Sequence, residues 1–147
     1  MFLPKLFGTL GVVLAILAAT GVVRLLPWDV GVHGMYFAFS PSLVFWFCSL
    51  TSVNFAILYW AAEKFTPTHW SRALGTGHFV LFSLFTVLFT VLAIGVGRWD
   101  SAHAEAMRWV VIPWFLGVFS FVLGLVLFFV NLTLTLIRTA RARLTAH

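Results

Sequence analysis

Two pairs of side chains in this sequence stand out for the chemistry they can do: His33 with Met35, and His103 with Met107. Each pair brings an imidazole and a thioether within a few residues, and borderline and soft donors of that kind suit copper. The plainer reading is a histidine at a membrane surface that hydrogen-bonds headgroups or loop carbonyls. Glu63 is the acid nearest to a long apolar run, and an acid beside a membrane segment is a candidate for proton coupling. Its neighbour Lys64 favours a solvated pair instead. The sequence holds no phosphate-binding glycine loop, Cys-x-x-Cys pair, nucleophile elbow or His-Glu-x-x-His motif. Cys48 is the single cysteine, so no intrachain disulfide can form. Its place among apolar residues makes it a small buried hydrophobe.

The elements that must position these groups follow from composition. Of 147 residues, 62% are hydrophobic and only 9% charged, whereas a soluble domain has about a quarter of its residues charged. Stretches free of Asp, Glu, Lys and Arg cover residues 7–23, 30–62, 73–97 and 109–137. A spanning helix needs about 20 apolar residues, which predicts an all-α membrane protein: one four-helix transmembrane domain over 1–147, with spans at about 7–26, 41–62, 74–97 and 109–137. Lys5, with the small residues Ala15, Ala18 and Ala19 behind it, resembles a signal peptide, but the segment is expected to stay as the first span.

The net charge of +5 is spread around these spans rather than gathered on a polar surface, which argues against nucleic acid. Lys5, Lys64, Arg72, Arg138, Arg141 and Arg143 share one side of a four-span layout with Glu63, while Arg24, Arg98 and Arg108 on the other side are balanced by three acids. The positive-inside rule then puts both termini in the cytoplasm. That layout sets His33 and His103 at the outer rim and His69 and His78 near the inner one, with none of the four at the centre. Trp28, Trp99, Trp109 and Trp114 fall on the outer side and Trp60 and Trp70 on the inner side, as an interfacial belt requires.

Within the spans, Gly8, Gly11, Ala15 and Ala19 form one close-packing face and Gly117, Ser120 and Gly124 another. One face is expected to serve the bundle and to leave the other for a partner helix. Residues 30–38 read as a loop or short rim helix before Pro41, and Asp100 and Ser101 as N-caps leading into the fourth span. Asn54 reads as a helix-to-helix hydrogen bond. The fourth span should close near Ile137, and the basic tail beyond it should lie on anionic headgroups.

The run Thr20-Gly21-Val22-Val23, followed by Asp29, His33 and Tyr36-Phe37, resembles the TGVV…LD…LHDTYF passage of subunit I of the haem–copper oxidases. The likeness continues through Tyr59-Trp60 and Lys64 to Leu74-Gly75 and His78-Phe79, which is similar to that family's LGKIHF. It goes on through Arg98 and Trp109 to Asn131 before the basic tail. The resemblance implies that nearly the whole chain corresponds to the last four helices of that subunit, in the same membrane orientation. It also implies that Arg98 is what survives of the arginines that meet haem propionates. The family's haem-ligating His-x-His pair is replaced by Pro41 and Leu43, or by Ser40 and Ser42 with one gap, and none of these can ligate iron. Gly34 stands where the motif has an Asp, and the helices that supply copper ligands have no counterpart.

These readings set three functional expectations. The first is a non-catalytic accessory or scaffold component of a respiratory complex in a bacterial inner membrane, unable to reduce oxygen on its own and associated with its own copies or with other subunits of that complex. The second is a small electron carrier with haem at His33, Arg98 and His103, or copper at His33, Met35, His103 and Met107. The third is a proton-coupled transporter using Glu63.

Overall fold

Buried residues recur at intervals of three and four along each helix, the spacing that keeps one stripe of side chains facing inward. In the computed structural model, which describes residues 2–20, 30–32, 35–37, 41–66, 70–96 and 104–145, this pattern builds four helices. They are α1 (Leu3–Ala19), α2 (Pro41–Phe65), α3 (Arg72–Val96) and α4 (Ala104–Leu144). Three of them, over Ser42–Phe65, Arg72–Val91 and Val111–Leu144, are long and apolar enough to cross a membrane. The described part of α1 is 17 residues, or about 25 Å at 1.5 Å per residue. The outward faces are rich in exposed Leu, Val, Ile and Phe, the surface that a hydrocarbon solvent favours.

The helices pack as two antiparallel pairs, α1 with α2 and α3 with α4. In the first pair Gly11 lets the backbones come close. The Ser49 hydroxyl donates to the Gly11 carbonyl oxygen at 2.8 Å, and the Ser52 hydroxyl donates to that of Phe7 at 2.7 Å. In the second pair Gly117 lies against Phe89 and Leu88, and Gly124 against His78 and Leu81. The two pairs meet where Leu3 of α1 seats on Gly75 of α3 and where an aromatic cluster spans all four helices. Both small-residue faces are therefore used inside the bundle, and the expectation that one is left for a partner is corrected.

Other expectations change as well. Residues 30–38 contain a β-hairpin instead of a loop or helix: β1 (Val30–Val32) pairs antiparallel with β2 (Met35–Phe37), Val32 opposite Met35. Valine and aromatic residues on either side of a two-residue link that ends in glycine are the sequence pattern of a tight hairpin. The first helix begins at Leu3 rather than Phe7, because Pro4 in its first turn has no N–H to leave unsatisfied. The last helix continues through the basic tail to Leu144, since Arg, Ala and Leu are good helix formers and Arg141 and Arg143 suit the negative end of the helix dipole. Asp100 and Ser101 lie outside the described residues.

The close approach at Gly11 is testable by substitution. A Cβ there would lie 2.8 Å from Val53 Cγ2 and 3.2 Å from the Ser49 carbonyl oxygen, whereas one at Gly8 would meet only Ala56 at an ordinary 3.9 Å. Gly11→Leu is expected to lower stability by about 1–3 kcal/mol through overpacking, while Gly8→Ala leaves it nearly unchanged. Thermal unfolding of the two variants in detergent decides between them.

Candidate functional site

The polar centre of this fold is built from residues at the same end of all four helices. His78 lies two turns into α3 and is only 1% exposed. Its imidazole Nδ1 sits 3.0 Å from the Tyr59 hydroxyl of α2. Around it stand Phe7 of α1, Phe55 of α2 and Phe128 of α4, with ring centroids 5.0, 4.4 and 5.5 Å from the imidazole. Gly124 makes room for the ring: a Cβ at that position would approach His78 Cδ2 to 3.3 Å.

Asn131 of α4 ties that helix to the start of α3. Its Oδ1 accepts the Ser71 backbone N–H at 3.0 Å, and its Nδ2 donates to the Ser71 carbonyl oxygen at 3.1 Å. Ser71 is itself the N-cap of α3, with its Oγ 3.5 Å from the Leu74 N–H. Below Asn131 the Thr135 and Thr139 hydroxyls donate to the carbonyls one turn back, at 2.8 and 2.9 Å, which satisfies buried hydroxyls inside the helix.

Trp70 closes the cluster. It is buried with its ring 4.7 Å from that of Tyr59 and 5.7 Å from that of Phe128. Expected at the inner interface, Trp70 packs its ring into the bundle at that end of the helices. His78, expected near the inner interface, lies two turns from the start of α3 on the buried stripe between Gly75 and Phe82. Asn54 differs from expectation in the opposite sense. It is exposed, and its Nδ2 donates to the Leu50 carbonyl oxygen of its own helix at 2.9 Å.

The residues expected to hold a metal or haem are placed as follows. His33, Arg98 and His103 lie outside the described residues. Met35 belongs to β2 and Met107 to the first turn of α4, with neither side chain described. Among the described residues no group of three or more His, Cys, Asp or Glu side chains is placed to hold a metal ion. Glu63 lies in the last turn of α2 and is partnered, and beside it the Lys64 ammonium lies over the Trp60 ring, 5.0 Å from its centroid. Cys48 is a buried hydrophobe as expected.

In chemical terms the His78 centre is an internal tie: a buried phenol and a buried imidazole share a hydrogen bond, and a buried amide clamps the backbone at the start of the same helix. Tyr59→Phe removes one partner and leaves a buried nitrogen unmatched, which costs about 1–3 kcal/mol. Tyr59→Phe with His78→Phe removes both, and the double variant is expected to lose less than the two singles added together. A double-mutant cycle on unfolding in detergent measures this coupling, and strict additivity would remove the hydrogen bond from the account.

Comparison of the chain with protein-family models, with curated proteins and with solved structures finds no match.

Proposed function

We propose that this chain is a four-span integral membrane protein with both termini in the cytoplasm of a bacterial cell, acting as a non-catalytic accessory or scaffold component of a respiratory complex. The observation that carries this reading is the filling of the interior. Side chains from all four helices meet around His78, and the ring-to-ring distances of 4.4–5.5 Å leave that space to the protein itself. A chain whose interior is given to packing acts through its outward faces and its ends.

The respiratory setting rests on the resemblance to the last four helices of the oxidase subunit. Three of the residues that carry it, Tyr59, His78 and Asn131, are buried in the bundle, Tyr59 and His78 hydrogen-bonded to each other and Asn131 to the Ser71 backbone. A shared packing requirement is enough to account for those three. Leu43, at one of the positions where the family has a haem ligand, is 64% exposed, and a side chain turned outward serves lipid or a neighbour.

Two measurements test the proposal. Reporter fusions at residues 66 and 103 should place the first in the cytoplasm and the second outside, as the charge balance of the loops requires. Gentle extraction of the tagged chain from native membranes should bring other electron-transport subunits with it, and the isolated chain should show no Soret band. A Soret band abolished by replacing His33 or His103 would transfer the function to a rim haem, and a chain isolated without companions would end the accessory reading.

A further inference from the structure

On the outward face of α2, Leu43, Phe47, Leu50, Asn54, Ile57 and Ala61 follow one another at alternating intervals of four and three. This is the seam spacing of a two-stranded coiled coil, with Phe47, Asn54 and Ala61 in one register position and Leu43, Leu50 and Ile57 in the other. All but the half-buried Ala61 are exposed. The opposite face of the helix, through Phe45, Cys48, Ser52, Phe55 and Tyr59, is the one committed to the bundle.

Asn54 is what separates this face from an ordinary lipid-facing surface. It stands at the middle of the 25-residue helix, where a span is deepest in hydrocarbon. Among the described residues its one hydrogen bond goes to Leu50 of the same helix. An amide has two donors and two acceptor lone pairs, so the Oδ1 and one N–H remain to be satisfied. Lipid tails offer neither a donor nor an acceptor.

We infer that a second copy of this chain docks along the α2 seam, with Asn54 hydrogen-bonded to Asn54 of the other copy. Two arguments select a copy of the same chain over another partner. Membrane insertion fixes the orientation of every copy, so a two-fold axis along the membrane normal makes the two α2 helices parallel and places equal residue numbers opposite each other. A carboxamide carries donor and acceptor on one plane and is its own complement across such an axis. A polar Asn at one seam position is also the feature that sets register and strand number in parallel two-helix coils. The inference rests on the membrane-spanning reading above, and it adds the identity of a partner and the residue that selects it.

The test uses the whole chain in lipid bilayers at graded protein-to-lipid ratios, with self-association read by energy transfer between labelled copies. Asn54→Leu should weaken association about tenfold, and Asn54→Gln should restore most of it. Because Asn54 is outside the core, both variants should fold like the parent. In a Cys48→Ala background, single cysteines at positions 50 and 57 should cross-link in native membranes, and those at 46, 53 and 60 should not. Association unchanged in Asn54→Leu, or cross-links without the three-and-four spacing, would overturn the inference. A monomer that instead loses a different co-purifying chain on Asn54→Leu would also overturn it while leaving the accessory reading intact. Labelling that put both ends of α2 on one side of the membrane would remove that reading together with the inference.

Discussion

Asn131 of α4 holds the Ser71 backbone at the start of α3 by both its N–H and its carbonyl, and two turns along α3 His78 meets the Tyr59 hydroxyl of α2. Three helices are thus tied by hydrogen bonds at one end of α3. In a hydrocarbon surrounding, the apolar faces of helices gain nothing by leaving lipid for each other, and association draws on close packing and on polar groups that must be matched. A buried imidazole, phenol and amide left apart would each carry a desolvation cost, so the helices that bear them are held in one relative position. Asn131 fixes the backbone at the N-cap of α3, next to the buried Trp70.

The same constraint explains the division of the bundle into two kinds of contact. Where α1 meets α2, small residues and serine hydroxyls bring the backbones together, and Ser49 and Ser52 donate to carbonyls already used within α1. Where the two pairs meet, large rings fill the gap, because Tyr59, Phe55 and Phe128 reach across a space that the backbones do not close. Offset and edge-on ring contacts of this kind add about 0.5–1.5 kcal/mol each beyond area burial. The glycines at 75 and 124 sit at the transitions, where a ring or a Leu3 methyl must pass close to a backbone.

Much of this architecture is legible in the sequence, and the reasons for the rest are physical. Charge-free runs locate the helices, since a charge in hydrocarbon is expensive and the absence of one is a direct signal. Helix ends are read less well: Leu3 and Leu144 extend the first and last helices beyond the apolar runs, because helix propensity continues where hydropathy stops. The hairpin at Val30–Phe37 carries only a turn signal, since three residues a side are too few for a strand period to show beside it. The His78 centre escapes because it joins residues 19 to 71 positions apart, and only the packing of the helices brings them together. One signal was available: Tyr59, His78 and Asn131 are polar residues on inward stripes otherwise made of Phe, Leu and small residues.

The two amides within the spans show what an interior filled with side chains leaves for function. Asn131 is fully buried, with both its donor and its acceptor engaged. Asn54 carries the same group to the opposite environment, on the outside of α2, and turns part of its hydrogen-bonding capacity back on its own helix. A helix face selected for lipid contact alone has no use for an amide, since any of Leu, Ile or Val would be cheaper to hold there. The asymmetry divides the molecule physically: the buried amide of Asn131 is matched within the chain, and the polar capacity still open on Asn54 faces outward from α2.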